Sequence, residues 1–282
     1  MPTIISSLGN DHVKRVVKLN SRRFRNKQQQ TIVEGVREIS AALQYGILPQ
    51  EAYLCPALIQ DPHAQKIATQ LLENENKTST KLFEVTPQVF QKIAYRGESG
   101  GILLIIPCKQ QQLEDLHLGD PPFLAIIEGV EKPGNLGGIL RTADAAGVDS
   151  VIVCNDQTQD STDIYNPNVI RASLGALFSV PTISVDNGRL HNWLLRHNIK
   201  IIAATPAASK PYTDTDMSGP TAIVMGSEAY GLSNTWLENA HEQVTIPMFG
   251  TVDSLNLSVS TALLLYEAVR QRNKTVKTAT KQ

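Results

Sequence analysis

Cysteine and aromatic residues are scarce in this 282-residue chain: three Cys, two Trp and 5 % aromatics in all. Cys55, Cys108 and Cys154 lie far apart without metal-ligand spacing, and an odd number cannot all pair within one chain. They read as reduced thiols of a cytoplasmic protein. His117, His191, His197 and His241 form no pattern with cysteines or carboxylates, so no metal site is expected. The longest strongly apolar run, residues 101–107, is too short to span a bilayer, and residues 1–7 have no basic stretch leading into an apolar one. Neither sign of charge dominates: 26 basic against 27 acidic residues give a net charge of −1, which excludes a protein coated in positive charge. With 41 % hydrophobic and 19 % charged residues, disorder and coiled coil are excluded as the main class.

What is present is locally patterned. Between Asp11 and Lys27 stand seven basic residues, Lys14, Arg15, Lys18, Arg22, Arg23, Arg25 and Lys27, opposed only by Asp11. A local basic patch on a near-neutral protein suits phosphate contacts, although a solvated helical face has the same composition. The polar stretch 108–120, ending before Pro121-Pro122, is the best boundary. It separates a small α/β domain over 1–107 from a larger domain over 121–282. In the second half, apolar strands at 123–129, 150–154, 199–204, 221–225 and 244–247 alternate with helices near 136–146, 168–177, 188–197, 233–240 and 256–271. Continuous apolar strands of this kind predict a mostly parallel sheet covered on both faces. Trp193 and Trp236 are expected in its core.

Three strand ends carry polar residues. In the stretch 128–141 a strand runs into a Gly/Pro loop, with Asn135 where a helix N-cap belongs and Arg141 early in the helix. Gly137-Gly138 at a helix start costs helix propensity and points to close packing or ligand approach. Neither a Gly-x-Gly-x-x-Gly fingerprint nor a P-loop is present. A second strand ends in Gly226, with Glu228 two residues later, Gly231 beyond it and Ser233 placed as the next N-cap. The third stretch, Ser254-Leu255-Asn256-Leu257-Ser258, opens the last long helix, and either Ser254 or Asn256 has the chemistry of its cap. Ser227 and Ser254 lack a placed His/Asp pair, so a hydrolase triad is poorly supported.

Asn135-x-Gly137-x-x-x-Arg141, Gly226-x-Glu228-x-x-Gly231 and Ser254-Leu-Asn-x-Ser258, in this order, resemble the three motifs of the SpoU (TrmH) family of SPOUT-class RNA ribose 2′-O-methyltransferases. The resemblance is strong over 120–272. Residues 1–107 resemble, more loosely, the ribosomal-protein-like RNA-binding domain that precedes many such catalytic domains, at Phe24, Arg25 and Val33–Arg37. Arg171–Ala176 is similar to another recurring segment of the two-domain members. The resemblance implies an α/β fold with a deep trefoil knot, a homodimer, and S-adenosylmethionine held among the knot loops near Thr205, Gly226, Ile246, Met248, Leu255 and Ser258. It implies catalytic roles for Asn135, Arg141, Glu228, Ser254 and Asn256, and RNA contacts by the N-terminal domain, for which Lys14, Lys18, Arg22, Arg23, Arg25 and Lys27 are the candidates.

Holding an arginine neutral near pH 7 costs about 8 kcal/mol, so Arg141 is expected to grip a phosphate and stabilise alkoxide character at the ribose hydroxyl rather than take its proton. Large-subunit ribosomal RNA is favoured as substrate. Transfer RNA, or a non-enzymatic role as an RNA-binding or ribosome-associated factor, are the alternatives. The polar set retained at three strand ends counts against the non-enzymatic one.

Overall fold

The computed structural model describes residues 2–75, 78–95, 99–155 and 162–279, with side chains as far as Asn273. The chain divides into two compact units, residues 1–109 with 165–179, and residues 110–164 with 180–282.

In the first unit the described elements are β1 (Thr3–Ile5), α1 (Asp11–Lys18), α2 (Arg22–Gln28), β2 (Gln30–Glu34), α3 (Val36–Gln44), β3 (Glu51–Leu54), α4 (Pro62–Glu73), β4 (Lys81–Val85), α5 (Pro87–Ile93) and β5 (Ile102–Pro107). The sheet order is β1-β4-β3-β5-β2, parallel from β1 to β3 and antiparallel from there. Val13 and Val16 on α1 and Val89, Phe90 and Ile93 on α5 are buried together against Ile32, Tyr53, Phe83 and Leu103. Among the elements expected from the sequence, β1, α2 and α5 have no counterpart. β1 is only three residues long, and α2 occupies the arginine-rich stretch after α1.

In the second unit β6 (Phe123–Glu128), α6 (Pro133–Ala146) and β7 (Ser150–Asn155) come first. The chain then enters the first unit with α7 (Pro167–Ala172) and α8 (Ala176–Ser179), residues that the sequence groups with the second half. They are fixed there by the Thr31 hydroxyl donating to the Tyr165 carbonyl at 2.7 Å and by an Arg171–Glu34 ion pair at 3.4 Å. The second unit resumes with β8 (Thr182–Asp186), α9 (Asn187–Arg196), β9 (Lys200–Ala204), β10 (Thr221–Met225), α10 (Asn234–Asn239), β11 (Glu242–Val244) and α11 (Leu257–Ala279). Its six-stranded sheet, β11-β9-β10-β6-β7-β8, is parallel throughout. The third motif's strand lies at 242–244 rather than 244–247, and β8 is an addition. Trp193 and Trp236 lie in the core, 3 % and 0 % exposed. The three cysteines are free thiols.

This strand order positions the site. From β6 the sheet grows one way through β7 and β8, then restarts at β9 and β10 on the other side of β6. The loops leaving the carboxyl ends of neighbouring β6 and β10 therefore emerge side by side, where open parallel sheets bind ligands. The helix α11 packs along α6 so closely that a Cβ on Gly138 would stand 3.2 Å from Cβ of Ser258, which explains the glycine at 138. Farther along α11, Arg272 donates to the carbonyls of Pro121, Pro122, Met217 and Gly219 and lies 4.5 Å from the Phe123 ring centre.

Candidate active site

The three strand-end stretches converge on the carboxylate of Glu228. Asn135 Nδ2 and Asn256 Nδ2 each donate to Glu228 Oε1 at 2.9 Å, Lys132 Nζ pairs with Oε2, and the Leu257 backbone amide adds a further donor. Asn256 Nδ2 also reaches Asn135 Oδ1 at 3.0 Å, so the two amides and the carboxylate form a closed triangle. Lys132 above all, then Asn135, hold the Glu228 carboxyl below the usual carboxylate range, and in return Glu228 raises the Lys132 ammonium. A carboxylate whose lone pairs are already taken by four donors is a poor proton acceptor. Glu228 organises the site rather than serving as its base.

One sequence expectation is corrected here, and one open alternative is decided. Asn135 is not the N-cap of α6; that position belongs to Lys132, with Pro133 first in the helix. Asn135 falls in the first turn, 9 % exposed, with its amide free to face Glu228. Lys132, in the loop before the Asn135 motif, has no role legible in the sequence, because a lysine in a loop has no signature until its partner's position is known. Asn256 need not be either cap or site residue, because it is both. Its Oδ1 accepts from the Ser258 amide at 3.1 Å and from the Ser258 hydroxyl at 2.7 Å, while its Nδ2 faces Glu228. Ser258 is thereby engaged with Asn256.

Ser254 is exposed and makes no hydrogen bond to this cluster among the described residues. It lines a cavity of about 580 Å³ at the ends of β9, β10 and β11, together with Thr205, Ile246, Met248 and Leu255. That size is usual for a small-molecule site. The wall mixes apolar side chains (Met225, Val244, Ile246, Met248, Leu255) with hydroxyls of Thr205 and Ser254 and the carboxylate of Asp253. This donor set fits S-adenosylmethionine, which has an apolar purine face, polar ribose edges and a cationic centre. Gly226 follows Met225, outside the lining. A Cβ there would stand 2.2–2.4 Å from the backbone of Gly231 and Leu232, so the loop itself excludes any side chain. That loop is closed by reciprocal Ser227–Gly231 backbone hydrogen bonds of 3.2 and 3.0 Å. Arg141 is exposed and makes no hydrogen bond or ion pair among the described residues, so the structure does not bring it into the Glu228 cluster.

In the first unit, Lys14, Lys18, Arg22, Arg23 and Lys27 are exposed. Arg25 is not: it is 2 % exposed and donates to the carbonyls of Leu19 and Asn20, both at 2.9 Å. It braces the α1–α2 turn and leaves the set of RNA contacts, a distinction invisible in a run of like residues.

Solved structures share this architecture over nearly the whole chain. An RNA 2′-O ribose methyltransferase is 37 % identical with a TM-score of 0.80, covering 96 % of this chain and 99 % of that one. An AdoMet-bound rRNA methyltransferase from Sinorhizobium meliloti is 27 % identical with a TM-score of 0.84, covering 95 % and 97 %. The fold is thus that of a SPOUT-class methyltransferase. Residues 122–266 match the SpoU rRNA Methylase family, and residues 10–104 match the MRM3-like substrate binding domain. The 23S rRNA (guanosine-2′-O-)-methyltransferase RlmB of Salmonella typhi is 42 % identical over 178 residues, 61 % of this chain and 72 % of that protein. Its Escherichia coli K12 counterpart is 41 % identical over 179 residues, 62 % and 72 %. The chain belongs to the SpoU rRNA methylase family, the S-adenosylmethionine-dependent RNA ribose 2′-O-methyltransferases.

Proposed function

We propose that this chain methylates a ribose 2′-hydroxyl of large-subunit ribosomal RNA, as a cytoplasmic homodimer. The observation that carries the reading is the Glu228–Asn135–Asn256 triangle, continuous in the chain with the cavity: Leu255 lines it and Asn256 follows. The RlmB relatives, named for a guanosine of 23S rRNA, and the substrate-binding domain support the choice of RNA.

S-adenosylmethionine in the cavity supplies an activated methyl on a sulfonium, so transfer depends on alignment and on stabilising the oxygen. Thr205, Ile246, Met248, Leu255 and Ser254 hold it, and the unsubstituted Gly226 keeps the loop beside them closed. The Glu228 cluster fixes the entrance of α11 and the first turn of α6, the surfaces against which the ribose lies. Arg141, two turns along α6 and unpartnered, is available to grip the neighbouring phosphate and to stabilise alkoxide character at the 2′-oxygen. Support for the homodimer comes from α11, where Val259, Leu263 and Tyr266 are 48 %, 37 % and 49 % exposed at helical spacing, and from Phe249, which is 98 % exposed.

The test is calorimetric binding of S-adenosylmethionine, followed by methylation of unmodified 23S rRNA with the modified ribose mapped. Binding with ribose methylation is the expected result, and Arg141→Lys, which keeps charge but loses the planar fork, is expected to lower turnover by tenfold or more. A folded protein that methylates transfer RNA and ignores 23S rRNA would overturn the substrate, and sedimentation as a monomer would overturn the dimer.

A further inference from the structure

Glu128 ends β6 and is fully buried, 0 % exposed, in the second unit. Among the described residues no lysine or arginine pairs with it. Its Oε2 accepts from the Ser233 amide at 2.7 Å, and its Oε1 accepts from the Ser233 hydroxyl at 2.6 Å and from Asn187 Nδ2. Asn187 Oδ1 on the same amide is buried without a partner, so that side chain is spent on Glu128 alone. A buried carboxylate without a countercharge is a poor stabilising device, since apolar residues of similar volume serve a core as well or better. Its presence in the core calls for another explanation.

The geometry supplies one. Ser233 closes the loop that begins at Gly226 and carries Glu228, and it is the N-cap of α10 without a side-chain capping bond, because its hydroxyl is turned to Glu128. Glu128 itself leads directly into residues 129–135, which present Lys132 and Asn135 to Glu228. One side chain on the first loop's strand therefore fastens the far end of the second loop. We infer that Glu128 is a positioning residue for methyl transfer: it sets the spacing of the two loops so that Glu228 meets Lys132, Asn135 and Asn256. Neighbouring titratable groups are Cys154, across the β6–β7 ladder, and Asp186 beside Asn187. Neither donates to Glu128.

This inference rests on the methyltransferase reading, and two measurements separate them. Glu128→Gln keeps the volume but turns an N–H toward donors. In the full chain, with unmodified 23S rRNA as acceptor, kcat is expected to fall by tenfold or more while S-adenosylmethionine affinity changes less than twofold. In a Glu228→Gln background the same substitution is expected to change kcat by less than twofold, because its effect runs through Glu228. Multiplicative losses in the double variant would overturn the inference. If Glu128→Gln does not fold, Ser233→Ala, which keeps the amide bond and loses the hydroxyl, carries the same cycle with the same criterion. Hydrogen exchange needs no substrate: faster exchange confined to residues 226–234 and 130–136 is expected. Unchanged protection, or loss spread through the whole sheet, would refute the role even if 23S rRNA proved to be the wrong acceptor.

Discussion

Replacing Asn256 by aspartate separates the two tasks of one side chain. The introduced carboxylate retains an acceptor for the Ser258 amide, so the start of α11 stays capped. The other oxygen replaces Nδ2, 2.9 Å from Glu228 Oε1 and 3.0 Å from Asn135 Oδ1. At that separation two unit charges repel by about 1.4 kcal/mol in a bulk-water dielectric and about 6 kcal/mol at an effective dielectric of 20. The Glu228 side chain is 31 % exposed, so the cluster lies nearer the lower bound. We expect about 2 kcal/mol, which makes it harder to ionise both carboxyls and raises the pH at which one of the pair takes up a proton. The sign is fixed by which state is penalised. In the wild type Glu228 is lowered by its donors, so its contribution is present above the ordinary carboxylate pKa and lost as pH falls. In Asn256→Asp the penalty is present when both groups are ionised and relieved as one takes up a proton. The variant should therefore melt roughly 5 °C below wild type at pH 7, with the gap closing toward pH 5. Asn256→Ala, which loses a cap worth about 1 kcal/mol, should show a gap nearly independent of pH over this range. Differential scanning fluorimetry across pH, paired with methyl-transfer rates, reads both. An Asn256→Asp protein that melts and turns over like wild type at pH 7 would refute the argument.

Other expectations follow from the same structure. Gly226→Ala forces a Cβ to within 2.2–2.4 Å of the Gly231–Leu232 backbone and should cost about 3 kcal/mol or more in a melt, whereas Gly250→Ala, with nothing within 4 Å, should cost little. Glu242 is held at about 2, first by hydrogen bonds from Lys200 and Lys210 and then by Thr215. Its stabilisation is present above the ordinary carboxylate pKa of 4.5 and lost as pH falls toward 2, so denaturant midpoints of wild type and Glu242→Gln should converge across that window. Arg25→Ala should lower thermal stability through two orphaned carbonyls, while Lys18→Ala or Arg23→Ala should leave the melt nearly unchanged. Each of the latter should reduce the salt slope of RNA binding by about one, as a titration of affinity against salt would show.

The sequence by itself determined the elements with strong period and clear ends. Continuous apolar strands such as 221–225 announced a parallel sheet, and helices such as the one expected near 188–197 were legible from their apolar spacing. The family was legible too, since its motifs are fixed spacings at strand ends. Short elements without period, β1 and β8 among them, were not, because three to five residues carry too little pattern. Tertiary structure alone decided which polar residues meet. Asn135 sits 93 positions from Glu228 and 121 from Asn256, and only the restart of strand order beside β6 places their loops together. It also separated Arg25 from its exposed neighbours, gave Lys132 its partner, and made Glu128 a hidden acceptor rather than a surface charge. Local propensity depends on near neighbours in the chain, whereas burial, partner and pairing depend on contacts that exist only after the chain has folded.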